Sequence, residues 1–353
     1  MVSVEKIDVL VPNLKRRLSG VTATVVRLVP IQAQSIAVAA VAPSLPEHIP
    51  QVSFWSLLTM RRSGPSGWRV WHARRNVEMV VGLLLRDVLR KRLKLVFTSA
   101  SQRHHTGFTR TLIAKMDAVI STSEKTAAYL ERPSDVIYHG IDNEQFSPPS
   151  DRADIRSRLG LPVEGALIGC FGRIRAQKGT DLFVESAIEL CRAFEGLTAI
   201  VIGRATQKDE GFLEGLKRKV AAEGLEGRIR FLEEVPVWEM PDWYRVLDVY
   251  VAPQRWEGFG LTPLEAMACG VPVVASDVGA FRELIAEGRT GFVVEPGSAE
   301  ALRAAVAGLL SDPARLSEFG AAARGHVETH FDIRDEARKL IEIYRAQIGS
   351  GTR

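Results

Sequence analysis

Two doubly wound α/β domains are predicted by three features of the sequence: short apolar runs alternating with helix-length segments, a restart of that alternation after residue 151, and enough apolar residues for two cores. The 353 residues correspond to about two domains of roughly 150 residues each. Apolar residues make up 46% and charged residues 25% of the chain, a balance that supports large cores and excludes wholesale disorder.

The run Ile7-Asp8-Val9-Leu10-Val11-Pro12 is short, apolar and closed by proline, so it reads as a buried first strand. A loop with Ser19-Gly20 comes next, then a helix over about residues 21–31. Residues 35–41, 94–98, 117–121 and 135–138 are further strands, separated by helix-like segments. Residues 142–151, with Pro148-Pro149 in their middle, read as a connection between domains. Beyond it, strands are expected at 166–171, 198–202, 228–232, 246–252 and 271–275, with helices at 180–194 and 208–223 between them. Three helices, 299–310, 313–328 and 334–348, close the chain. Strands alternating with helices imply parallel sheets, and ligands of such sheets bind at the carboxyl ends of the strands, in a cleft expected here between the domains.

Composition narrows the function classes. Cys170, Cys191 and Cys269 are odd in number and lack CxxC spacing, so neither a disulfide framework nor a zinc site is implied, and a reducing compartment fits. Glu5 and Asp8 stand around the first apolar run, without the basic-then-apolar order of a signal peptide. A cytoplasmic location is therefore expected. The net charge of +4 is unevenly spread: residues 1–150 carry 20 Lys and Arg against 11 Asp and Glu, whereas residues 151–353 carry 26 against 31. A basic half beside an acidic half points to an anionic partner, whether nucleic acid, lipid or a phosphorylated glycolipid. Residues 61–95 concentrate ten cations around Trp68, Trp71 and the apolar run 80–85, as an interfacial helix would for anionic headgroups. The competing reading is an amphipathic helix packed on its own sheet with a solvated basic face.

Two constellations carry chemistry. In the first, Glu257-Gly258-Phe259-Gly260-Leu261-Thr262-Pro263-Leu264-Glu265 comes after a strand and opens a helix. Its glycines let backbone approach a ligand, Thr262 suits an N-cap and Pro263 a first helical position. The free N–H groups of such a helix start hold a phosphate, flanked here by the Glu257 and Glu265 carboxylates as acceptors for sugar hydroxyls. In the second, Gly172-Arg173-Ile174-Arg175-Ala176-Gln177-Lys178-Gly179 leaves the first strand of the second domain, and Arg173 and Lys178 there can neutralise a diphosphate. A lone Arg and Lys in a loop are usually just solvated. Two phosphate-seeking elements at strand ends of one domain are a stronger combination.

The combination resembles the GT-B glycosyltransferases of family 4, with Gly172-Arg173 to Lys178-Gly179 as their GRxxxxKG and Glu257 and Glu265 as their EX7E motif. The run Tyr138-His139-Gly140-Ile141-Asp142 is similar to the family's exit from the first domain, and residues 331–344 to its closing helix, which returns to that domain. The implied organisation is an acceptor-binding domain at 1–145 with 333–353, and a nucleotide-sugar-binding domain at 146–332. Residues 254–263 and 98–106 most resemble bacterial lipopolysaccharide core mannosyltransferases that use GDP-mannose.

The resemblance implies a retaining hexosyltransferase acting on an anionic glycolipid, peripheral on the cytoplasmic face of the inner membrane through its basic domain. It implies a role for Glu257 toward the transferred sugar and for Glu265 toward the ribose. Arg173 and Lys178 would hold the diphosphate, with Gly172, Gly258, Phe259 and the amides of Gly260, Leu261 and Thr262 around it. Gly20 would bring amides of the first domain to the same phosphates. No metal or other cofactor is expected. The family's histidine after the strand that ends at Thr98 is displaced here, leaving His104 and His105 as alternatives. The Gly-x-Gly of many relatives reads Gly203-Arg204.

Other readings remain beside this one. Another hexose from a UDP- or ADP-sugar fits the same residues. A dehydrogenase would want GxGxxG after the first strand, where only Gly20 stands. A non-catalytic membrane or nucleic-acid scaffold would not need Glu257, Glu265, Arg173 and Lys178 together, and nucleic acid is not an expected partner.

Overall fold

The computed structural model describes residues 1–15, 20–43 and 45–350. It divides into two compact units, residues 1–140 with 333–353 and residues 141–332.

The first unit is built on seven parallel strands: β1 (Val9–Pro12), β2 (Val38–Val41), β3 (Gln51–Val52), β4 (Arg69–Ala73), β5 (Leu93–Ser99), β6 (Ala118–Ser121) and β7 (Asp135–Val136), in the order β3-β2-β1-β4-β5-β6-β7. Val9, Leu10 and Val11 are buried without alternation, as expected of a parallel strand covered on both faces. One face packs Trp71, Met79, Leu95, Phe97 and Leu112. On the other, Val25, Leu28 and Val29 of the helix Gly20–Gln32 meet Leu340, Ile341 and Tyr344 of the final helix, Ile333–Ser350.

β4 corrects the expectation of an interfacial helix across 61–95. Its sequence Arg69-Val70-Trp71-His72-Ala73 does not read as a strand, because two charged or polar groups interrupt it. The interior satisfies each of them. The buried Arg69 guanidinium donates to the carbonyls of Ile7 (3.0 Å), Arg61 (2.9 Å) and Ser63 (2.9 Å) and pairs with Glu5. Trp71 Nε1 donates to the Glu78 carbonyl at 2.8 Å. His72 lies between the Tyr344 hydroxyl (2.6 Å) and Thr98 Oγ1 (2.7 Å). Helix appears only beyond β4, at Asn76–Leu83, and passes into a π turn over Leu84–Val88.

The second unit holds six parallel strands: β8 (Leu167–Phe171), β9 (Thr198–Ile202), β10 (Ile229–Leu232), β11 (Val249–Ala252), β12 (Val273–Ser276) and β13 (Gly291–Val294), in the order β10-β9-β8-β11-β12-β13. Residues 142–147 are tied to this unit: Arg324 donates to the carbonyls of Asn143 and Phe146, and Arg245 to those of Gln145 and Ser147. Both sheets run one way from their first strand and then reverse, between β1 and β4 and between β8 and β11. The loops at such a reversal splay apart and leave a crevice at the strand ends.

Candidate functional site

The loops leaving β8 and β11 form the second unit's crevice. After β8, the chain passes through Gly172 and Arg173 into a short 3₁₀ turn, Ala176–Lys178, and then the helix Thr180–Ala193. After β11, it passes through residues 253–260 into the helix Leu261–Ala268. Lys178 Nζ and Glu257 Oε2 form an ion pair across the two loops. The other Glu257 oxygen accepts the Gly258 N–H at 2.9 Å, which fixes the carboxylate. Arg173 is exposed and has no hydrogen-bond or ion-pair partner among the described residues.

The helix start differs from expectation. Gly260 is the N-cap, with φ of 94°, so Thr262 and Pro263 lie within the first turn. A side chain at Gly260 would place its Cβ 2.2 Å from the Phe281 ring. The amides of that turn, including those of Leu261 and Thr262, lie at the end of the helix where a backbone can hold an anion. Phe259 and Gly258 are buried behind the loop, and Gly172 is exposed at the strand end. Glu265 sits two residues further into the helix than expected, where Oε2 accepts the Tyr244 hydroxyl at 2.8 Å. Burial, together with the neighbouring Glu265, holds the Tyr244 pKa well above its usual value, so the phenol stays a donor.

Two residues of this arrangement are not among the site residues the sequence points to. Tyr244 belongs to the helix Met240–Arg245, far from either motif along the chain. Arg255 fastens the two loops together. Its N–H donates to the Gln177 carbonyl at 3.0 Å, and its guanidinium donates to the Ala176 carbonyl at 2.6 Å and to both Asp181 oxygens at 2.7 and 2.8 Å. Gly179 allows the close approach: its φ is 70°, and a Cβ there would lie 1.8 Å from the Pro253 carbonyl oxygen. Arg255 stands inside the run 254–263 that carries the family resemblance, but nothing in the sequence tells that Asp181 faces it.

The first unit holds the remaining candidates. Gly20 opens the helix Gly20–Gln32, and residues 16–19 before it lie outside the described residues. His105 Nε2 is 3.3 Å from Ser99 Oγ at the end of β5. Partial burial, with Arg103 and His104 adding to it, pushes its pKa down and keeps the ring neutral. His104 is exposed and edge-on to Tyr129, with ring centroids 5.3 Å apart. Asp8 accepts two hydrogen bonds from Ser66, at 3.0 Å each, and so anchors a loop. Among the described residues, no group of three or more His, Cys, Asp or Glu is placed to hold a metal ion, and no helix is long and apolar enough to cross a membrane.

The chain is similar to known glycosyltransferases in sequence and in fold. The family glycosyl transferases group 1 matches residues 151–326. A lipopolysaccharide core biosynthesis mannosyltransferase (LpsB) of Rhizobium meliloti strain 1021 is 49% identical over 98% of this chain and 99% of its own length. Another lipopolysaccharide core biosynthesis mannosyltransferase (LpcC), of Rhizobium leguminosarum bv. viciae, is 48% identical over 99% of each chain. Among solved structures, HepE of Anabaena, in complex with UDP, superposes with a TM-score of 0.82 over 96% of this chain and 100% of its own, at 20% identity, a likeness of fold.

Proposed function

Since the chain belongs to the glycosyl transferases group 1 family, we propose that it is a retaining mannosyltransferase of family 4 that moves mannose from GDP-mannose onto a lipopolysaccharide core or similar anionic glycolipid. It is a glycosyltransferase of GT-B fold, with its final helix packed in the first unit. The carrying observation is the Lys178–Glu257 pair beside the start of the helix Leu261–Ala268, at the reversal of strand order. The two rhizobial relatives support mannose and the lipopolysaccharide core, and the excess of cations in residues 1–150 supports an anionic acceptor at the cytoplasmic face of the inner membrane.

In this reading the diphosphate draws Lys178 from Glu257 and meets Arg173 and the amides of Gly260, Leu261 and Thr262. Glu257 Oε2, released from the lysine, accepts a hydroxyl of the sugar, while Glu265, oriented by Tyr244, holds the ribose. The acceptor oxygen bonds to the anomeric carbon as the bond from that carbon to the phosphate oxygen breaks. The acceptor proton passes to the departing phosphate oxygen on the same face, which retains configuration. Such a step depends on stabilising the leaving charge, and Arg173, Lys178 and the helix start supply that without a metal. Gly20 and His105, or His104, are the first unit's candidates for contacts to the donor.

The test offers purified protein GDP-, UDP- and ADP-sugars with a truncated lipopolysaccharide core. Transfer from GDP-mannose with retained configuration is expected, and Glu257→Ala lowers it on the order of a hundredfold while circular dichroism stays unchanged. Absence of transfer, together with no nucleotide-sugar binding in calorimetry, would overturn the reading.

A further inference from the structure

Residues 54–62 and 89–92 form one surface of the first unit. Lys91 Nζ donates to the carbonyls of Leu58 (3.1 Å) and Met60 (2.5 Å), and Arg92 N–H donates to the Arg62 carbonyl (2.8 Å). These bonds hold the two segments side by side. The surface exposes large apolar side chains: Trp55 is 73% exposed, Leu58 49%, Leu89 44% and Phe54 40%. Phe54 and Trp55 meet edge-on, with centroids 5.9 Å apart, so they form one projecting apolar tip. Around them stand the exposed side chains of Arg61, Arg62, Arg90 and Arg92, none of which has an ion-pair partner among the described residues.

We infer that this face docks on an anionic lipid bilayer, with Phe54, Trp55 and Leu58 entering the headgroup layer and the four arginines lying against lipid phosphates. The inference rests on the reading of a membrane-borne acceptor and names the part of the first unit that reaches the membrane. Charge selects this partner, because four unneutralised guanidinium groups beside an apolar tip match a surface that is negative outside and apolar beneath. Tryptophan favours the boundary between headgroups and acyl chains, and stable attachment of this kind combines an apolar element with a basic one. The four arginines belong to the basic stretch that the sequence singled out, but the aromatic residues beside them differ from Trp68 and Trp71. Trp71 is buried, and Trp68 is half-buried with Lys94 Nζ 5.1 Å from its ring centroid. Trp238 of the second unit is a built-in contrast, 75% exposed but followed by Glu239 and preceded by Glu233 and Glu234.

The full chain is sedimented with vesicles of phosphatidylcholine alone and of phosphatidylcholine with an equal part of phosphatidylglycerol. Binding to the anionic vesicles only is expected. Phe54→Ser with Trp55→Ser, and separately Arg62→Glu with Arg92→Glu, each weaken it about tenfold or more. Trp238→Ser binds like the unchanged chain. Equal binding by both double variants, or equal binding to neutral vesicles, would overturn the inference, as would a change in self-association with none in vesicle binding. Nucleotide-sugar binding and transfer to a lipid-free acceptor stay intact in these variants. Their absence in the unchanged chain would mark failure of the functional reading instead.

Discussion

Arg255 shows how a side chain that touches no substrate in the proposed reaction sets the position of one that does. Its fork joins the carbonyl of Ala176, at the turn carrying Lys178, to Asp181 in the next helix, while its own backbone leads directly to Glu257. Both partners are partly exposed, so the ion pair itself adds little to stability, and its effect lies in geometry. Arg255→Ala is expected to lower kcat about tenfold or more with a smaller change in donor KM, because in the proposed reaction Lys178 acts most strongly on the leaving charge. Arg255→Lys, which keeps the charge but loses the fork, recovers little. The decisive measurement is the double-mutant cycle with Lys178→Ala. If Arg255 works through Lys178, its loss has little further effect in that background, whereas additive losses would show an independent role.

Between elements, the buried group that joins β4 and β5 to the final helix is His72, held by Tyr344 and Thr98. Burial, and secondarily Arg74, pushes the His72 pKa well below 6.5, while burial pushes the Tyr344 phenol up to about 12. The folded state therefore keeps His72 neutral where the unfolded chain takes up a proton. Its contribution is fully present above the unfolded value near 6.5 and falls away as pH drops through that value toward the lowered one, by up to about 1.4 kcal/mol per pH unit. Urea unfolding at neutral and acid pH should show this slope, and His72→Gln should flatten it. Tyr344→Phe leaves one buried ring nitrogen without its partner and should cost about 1–3 kcal/mol at neutral pH. An unchanged acid slope in His72→Gln would assign the proton elsewhere. The same elements show where the sequence is legible. β1, β5, β6, β8, β9, β11 and β12 are visible because their runs of Val, Ile, Leu and Ala are buried on both faces. β4 is not, because Arg69 and His72 find their partners at Ile7, Glu5 and Tyr344, contacts that exist only after folding. β3 is too short to show a pattern, and β13 begins on a glycine. In the candidate site, Arg173, Lys178, Glu257 and Glu265 are legible as motif residues, whereas Tyr244, Asp181 and the capping role of Gly260 depend on the turn of the chain in space.

At the scale of the whole molecule, the two units differ in how they are assembled from the chain. Residues 141–332 are continuous, and their core includes Ile168, Val184, Ile188, Ala199, Val201, Val251 and Leu302, all from that one stretch of chain. The first unit is discontinuous, because Ile333, Ala337, Leu340, Ile341 and Tyr344 of the final helix fill one face of its sheet. Burying each large apolar side chain contributes about 1.5–3 kcal/mol, so removing several approaches the roughly 5–15 kcal/mol that usually stabilises a domain. A chain ending at Asp332 is therefore expected to lose the calorimetric transition of the first unit, with exposed β1 and β4 surfaces and a tendency to aggregate. The fragment 141–332 alone should unfold in one cooperative step near the temperature of that unit in the full chain. It should also retain the Lys178–Glu257 pair and, with it, measurable affinity for the nucleotide part of the donor. Two intact transitions in the chain ending at Asp332 would show that the final helix is dispensable to the first unit. A fragment 141–332 without a cooperative transition would show that its core is incomplete.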